Sequence, residues 1–403
     1  MNLTKYIFSL SLGALSLAAV SCYNADKEFP DFENGTTAYF AYQDPVRTLV
    51  LGNDIYDNTL DNDHKCQIWA TMGGAYHGRN AVVDFVVDES LCDNLFFTDD
   101  GGNAARPVMP MPGDYYRLAS NVIPYNGDSR GYVEVQLTDA FFNDEKAVES
   151  NYVIPLRMTK VEGIDHILTG TPREGLSPSR TNTEDWDVPA KDYVLYCVRY
   201  MNPWQGKYIR RGTDNVEENG TTTTYVRKDF TLVNSDVEHY KENPVNQNDE
   251  ICAIKTKNMK QAIFPVAVNI GKDPSGDVRP SQSCNLTLTF DNGKCVITTE
   301  DEDIASTGSG EFIVKGTELP AYKDYQWGNM NGQPIQRDIL RLQYSVTFHK
   351  GRVIGMKTDK TGKQVPWVLE NDVQVTTNDT LVVQTRESNK KVFFAPKYVK
   401  NVE

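Results

Sequence analysis

Helical periodicity is almost missing from this 403-residue chain, and that absence sets its class. Histidine is scarce too: His64, His77, His166, His239 and His349 show no HxH or HExxH spacing, so a zinc site has no support in the sequence. Seven cysteines occur without a single CxxC, in spacings unlike a disulfide framework. Positive charge is in deficit, with 41 basic against 55 acidic residues and a net charge of −14. That balance argues against nucleic acid and against docking on anionic head groups, and suits neutral or cationic ligands. Long apolar runs are lacking as well, with one exception at the start.

The exception is "MNLTKYIFSLSLGALSLAAVSC". Lys5 precedes an apolar stretch from Tyr6 to Val20 that falls short of the roughly 20 residues a membrane-spanning helix needs. A basic start, a short apolar run and small residues before a cut make a secretory signal over residues 1–21. Ala19 and Ser21 ahead of Cys22 resemble a bacterial lipobox, in which the cysteine is acylated and becomes the mature N-terminus. Acidic residues follow (Asp26, Glu28, Asp31, Glu33), and 22–34 reads as a lipidated tether. The membrane is then a partner through that N-terminal lipid, at an outer membrane and facing the cell surface.

Beyond the tether the dominant period is two. "YVEVQL" sets Val133, Val135 and Leu137 on one face, and "YVIPLRM" alternates Tyr152, Ile154, Leu156 and Met158 against Val153 and Arg157. "DILRLQYSVTF" places Leu340, Leu342, Tyr344, Val346 and Phe348 inward. Such half-buried strands between Gly, Pro, Asn and Asp predict an all-β chain of antiparallel sandwiches or barrels. One short helix is expected in "NSDVEHYKEN", opened by Ser235 and Glu238 and stopped by Pro244. "CNLTLTFDNGKCVITT" reads as a hairpin turning at Asn292-Gly293. Phe290 then faces Cys295, which puts Cys284 about 20 Å from Cys295, beyond the roughly 7 Å a disulfide permits. Free, buried cysteines are expected instead.

Composition changes at 169–192, where Pro, Gly, Ser and Thr replace alternation, and this stretch reads as a linker. It divides a β-sandwich at 35–168 from a larger β-rich domain at 193–403. No catalytic constellation stands out. "GDSRG" matches G-x-S-x-G around Ser129, but a strand follows where a nucleophile elbow needs a helix, so Ser129 is a turn residue. "DNTLDNDH", with Asp57, Asp61 and Asp63, lacks the spacing of a calcium loop and reads as a solvated acidic loop. "GSGEF" at Gly308 reads as a turn, and "EDED" at Glu300 to Asp303 as a hairpin end. Neither a cofactor nor a metal is expected.

"RGYVEVQLTDAFFNDEKAVESNYVIPLRMTKVEG" resembles the end of an immunoglobulin-like domain common in Bacteroidetes surface lipoproteins. "YMNPWQGKYIRRGTD" and the stretch from "GSGEF" to "YSVTF" resemble the β-rich domain that often follows it. The resemblance implies an N-terminal immunoglobulin-like β-sandwich followed by a larger antiparallel sandwich or barrel-like domain. It also implies an accessory role beside SusC/SusD-type glycan import, with no catalytic residues carried over. Sugar rings stack their C–H faces on aromatics, which directs attention to "YKDYQWGNMNGQ", where Tyr325, Trp327 and Asn329 share a loop-like stretch. Trp367 and Trp204 are further candidate glycan contacts, while Trp69 and Trp186 read as structural. Three functions stay open: a non-catalytic glycan-binding lipoprotein, an adhesin or assembly subunit binding protein, and a glycosidase or esterase of unfamiliar type.

Overall fold

In the computed structural model, the alternating strands of the N-terminal half close two sheets over one core. The structure describes residues 31–227, 250–326, 328–388 and 392–400. The first sheet runs in the order His166–Ile167, Thr37–Tyr39, Lys65–Gly73, Arg130–Leu137, Tyr116–Leu118. The second contains Pro45–Val50, Tyr193–Met201, Tyr152–Glu162 and Val82–Val87 side by side. Val133, Val135 and Leu137 meet Ile154, Leu156 and Met158 in the space between the sheets. This is the expected immunoglobulin-like β-sandwich. Its central strand is buried on both faces: Val153 joins Leu195, Cys197, Leu95 and Trp186 in a second apolar cluster on the far side. A two-sided burial of this kind erases the alternation a half-exposed strand would show.

The stretch expected to be a linker supplies part of that second cluster. Trp186 is buried and its indole Nε1 donates to the Ser179 carbonyl at 2.8 Å. Arg180 pairs with the buried Asp192. The strand Tyr193–Met201 then pairs with Tyr152–Glu162 and, in parallel, with Pro45–Val50. The sandwich therefore runs to Met201, beyond the expected boundary, and the chain returns to it at the end, where Val392–Phe393 pairs with Pro45–Val50.

The C-terminal half is a closed, antiparallel, up-and-down barrel. Eight of the sheet's nine strands form the ring, neighbours in this order: Gly206–Glu218, Glu250–Thr256, Gln261–Val268, Gln282–Asp291, Lys294–Thr299, Ile304–Ile313, Ile339–Phe348 and Val373–Thr385. The last pairs with the first and closes the ring, while a ninth strand, Thr221–Arg227, pairs with Gly206–Glu218 and stands as the outer strand of the sheet. Leu340, Leu342, Tyr344, Val346 and Phe348 all point inward, as their spacing predicts. The hairpin at Asn292-Gly293 has the expected register, Phe290 opposite Cys295. All six described cysteines are free and buried. "GSGEF" is not a turn but the middle of the Ile304–Ile313 strand. Gly308 and Gly310 face Tyr344 and Leu342 there, where a Cβ would stand 2.5 Å from Tyr344 Cβ and 2.6 Å from Leu342 Cδ2. Small residues serve close packing inside a filled barrel. The short helix expected within 234–243 lies outside the described residues; Thr59–Asn62 and Asp139–Asn143 are the α-helices among those described.

One charged group is built into the barrel interior. Arg210 is 1% exposed; its Nε donates to Asp379 at 2.8 Å, and its remaining nitrogens reach Glu250 and the Tyr344 hydroxyl. The two domains are joined by Arg386, whose guanidinium donates to the carbonyls of Leu51 and Asn53 on one side and of Asn202 and Gln205 on the other. Four main-chain acceptors on one fork hold the joint without an ion pair.

Candidate functional site

The first sheet of the sandwich buries one face and shows the other to solvent. Along Lys65–Gly73 the even positions Cys66, Ile68, Ala70 and Met72 are buried, so the odd positions Gln67, Trp69 and Thr71 point outward. Along Arg130–Leu137 the odd positions enter the core and Arg130, Tyr132, Glu134 and Gln136 point outward. The register sets Tyr132 directly beside Trp69. The two rings sit 4.6 Å apart at 42° to each other, and each residue is 42% exposed. Trp69 had read as structural in the sequence; the structure puts it on the solvent face instead.

Polar groups surround the pair. The Arg130 guanidinium lies 4.8 Å from the centre of the Trp69 ring, a cation on an aromatic face. Lys65 and Glu134 form an ion pair at 2.9 Å, and the hydrogen bond that the ammonium donates to Glu134 raises Lys65 above its usual range. Arg117, one strand further along, is exposed and sits opposite Gln136. On the other side Tyr39 lies across from Thr71 and leans over Gly73, where an added Cβ would stand 3.5 Å from its Cε1. Beyond it opens a trough of about 610 Å³ bounded by Phe32, Tyr76, Gly35 and Gly74. The face as a whole offers stacking rings with hydrogen-bonding and charged side chains between them, on strands rather than on mobile loops.

The residues singled out in the sequence are dispersed. Trp327 lies outside the described residues, as does Cys22. Tyr325 is half-buried, edge-on to Tyr322 at 6.0 Å and under the Arg211 guanidinium at 4.7 Å, in a short segment that covers Ile209, Ile339 and Val382 on the outside of the barrel. Asn329 is exposed in the small hairpin that follows. Trp367 packs on the barrel core from the hairpin after Phe348, with Lys357 5.5 Å from its ring. Trp204 sits at the other end, stacked flat on Phe290 at 3.8 Å and 6°. One face of that ring is thereby covered.

The other motifs of the sequence take structural places. Ser129 sits in the turn before the Arg130 strand, its N–H donating to Asp128 Oδ1. Asp61 is buried against Arg47 and accepts the Val50 N–H at 2.9 Å, so the acidic loop is partly an internal anchor rather than solvated throughout. Among the described residues no cluster of three or more His, Cys, Asp or Glu side chains is arranged to hold a metal. A larger groove of about 810 Å³ crosses the outside of the barrel past Asp291, Lys294, Glu311, Arg341, Gln343 and Asn378. None of the described residues lining it is aromatic.

Comparison with known proteins places this architecture. A crystal structure of a Bacteroides ovatus protein of unknown function is 36% identical and covers 92% of this chain and 100% of that one, with a TM-score of 0.71. The chain belongs to the same family. A family model described as a domain of unknown function (DUF5627) matches residues 203–387, the barrel, and a model described as an N-terminal domain matches residues 32–165, within the sandwich. The family thus joins the two domains seen here, among Bacteroidetes proteins of uncharacterised function. A Bacteroides ovatus multidomain protein including DUF1735 aligns at 9% identity over 86% of this chain and 94% of that one, with a TM-score of 0.36. No curated protein matches the sequence.

Proposed function

We propose that this family member is a non-catalytic surface lipoprotein that binds glycan on the outer face of its N-terminal sandwich. The observation that carries this reading is the Trp69–Tyr132 pair, two aromatic residues kept 42% exposed on a rigid sheet beside Arg130 and Gln67. Burial elsewhere does not require them there, because Ile68, Ala70, Val133 and Val135 already fill the core side. Exposed aromatics flanked by hydrogen-bonding side chains suit a ligand with both C–H faces and hydroxyls. Lipidation at Cys22 would hold the platform at the outer-membrane surface, where an accessory role beside a SusC/SusD-type import system fits a binder without chemistry of its own. An adhesin working by strand addition is less well served. The ring of barrel strands closes on itself with Thr221–Arg227 as the outer strand of its sheet among the described residues, and the outer strands of the first sandwich sheet are only His166–Ile167 and Tyr116–Leu118. An enzyme would need a nucleophile paired with a base such as histidine, and the Ser129 hydroxyl instead donates to the neighbouring Asp128 carboxylate at 3.2 Å in an exposed turn. Affinity electrophoresis of the purified protein through gels loaded with soluble polysaccharides tests the proposal. Retardation by at least one polysaccharide that is lost in Trp69→Ala is expected; uniform mobility in all gels would reject it.

A further inference from the structure

The charges on the platform differ in sign from those of the whole molecule. The chain carries −14, yet the outward residues of the three strands Lys65–Gly73, Arg130–Leu137 and Tyr116–Leu118 include Lys65, Arg117 and Arg130 against Glu134 alone. Lys65 and Glu134 neutralise each other at 2.9 Å. Arg117 and Arg130 form no ion pair with any described residue, and the Arg130 guanidinium instead rests on the Trp69 ring. Two unpaired guanidinium groups therefore flank the exposed aromatics of an acidic protein.

We infer that the ligand of this face is an anionic glycan, a polymer whose sugar rings bear carboxylate or sulfate groups; the inference rests on the glycan-binding reading above. A guanidinium fork matches the two oxygens of a carboxylate or sulfate with parallel hydrogen bonds. Arg117 stands opposite Gln136, six residues from Arg130 along the neighbouring strand, so the forks are roughly 20 Å apart at strand rise. That separation suits a chain with repeated anions and is too wide for a single small ion. The resting place of Arg130 supports the same class. A neutral sugar stacking on the covered face of Trp69 must push a cation off the ring and gives it no new partner. An acidic sugar offers the guanidinium its own anion while its C–H face takes the vacated ring. The −14 charge elsewhere opposes a polyanion at long range, but salt screens that repulsion beyond about 10 Å while contact pairs persist. The charge balance of the whole sequence pointed to neutral or cationic ligands; the local charge reverses that expectation for this face.

The test uses matched polymers: polygalacturonate and its carboxyl-reduced form, and carrageenan and its desulfated form, titrated calorimetrically into the purified full-length protein. The acidic member of at least one pair should bind about tenfold or more tightly than its neutral counterpart, a difference on the order of 1.4 kcal/mol. Preference for polygalacturonate identifies carboxylate as the anion, and preference for carrageenan identifies sulfate. Arg130→Gln and Arg117→Gln should each weaken binding of the acidic form and so shrink the preference, whereas Trp69→Ala weakens both forms. Equal, Trp69-dependent affinity for charged and neutral forms overturns the anionic inference and leaves the glycan reading standing. Failure of all four polymers overturns the anionic inference, and the glycan reading with it if no polysaccharide gel retards the protein; Arg130-dependent binding to vesicles of anionic phospholipid in their place overturns both.

Discussion

Asp44 should make the fold acid-favoring, and the effect can be worked from its surroundings. It lies where the returning C-terminal segment closes on the sandwich: its carbonyl accepts the Phe394 N–H, and Val392–Phe393 pairs with the strand that begins at Pro45. Its carboxyl Oδ1 has no hydrogen-bond partner, and burial raises the group from 3.8 to about 7. Folded Asp44 thus holds its proton more tightly than unfolded Asp44. The stabilisation from that proton is fully present below about pH 4 and is lost as pH rises to about 7. Three units at about 1.4 kcal/mol each give a loss on the order of 4 kcal/mol across this window. Asp44→Asn cannot ionise, so its melting curve should match wild type near pH 4 and rise above it progressively to pH 7. Thermal melts at a series of pH values read the difference directly. A wild-type and mutant pair whose melting temperatures run parallel from pH 4 to 7 would refute the reasoning.

The interior charge group gives a second outcome. Arg210→Met leaves the buried Asp379 carboxylate without its guanidinium and should cost about 3–5 kcal/mol, whereas Arg210→Met with Asp379→Leu should recover much of that. Urea midpoints of the two variants decide it, and a double variant no better than the single one would contradict the account. Cys22→Ala should shift the protein from the detergent phase to the aqueous phase or leave its precursor unprocessed; unchanged partitioning would remove the lipid anchor.

The sequence made the local structure legible and left the closures hidden. Inward Leu340 to Phe348, the hairpin at Asn292 and the free cysteines all follow from a period of two and from strand rise, which are local quantities. The pairing of Val373–Thr385 with Gly206–Glu218, which makes the barrel, joins strands more than 150 residues apart and leaves no mark in either. The boundary was misplaced for a related reason: 169–192 is rich in turn residues, yet Trp186 anchors it to a core assembled from distant strands. The platform itself was within reach. In "CQIWATM" the residues Cys66, Ile68, Ala70 and Met72 share one parity and Trp69 the other, and in "RGYVEVQL" Tyr132 stands opposite in parity to Val133 and Val135. What sequence parity could not show is that these two strands are neighbours in register, with the rings side by side.

The central claim is that Trp69 contacts ligand and not core, and one variant separates the two. Trp69→Ala, titrated with whichever polysaccharide retards wild type and melted in parallel, should lose about 1–3 kcal/mol of binding free energy, as for truncating an interface hot spot. Its stability should fall by no more than about 1.5 kcal/mol, the loss of one exposed aromatic pair. Unchanged affinity, or a melting temperature lowered by the several kcal/mol that removing a buried tryptophan costs, would contradict the account.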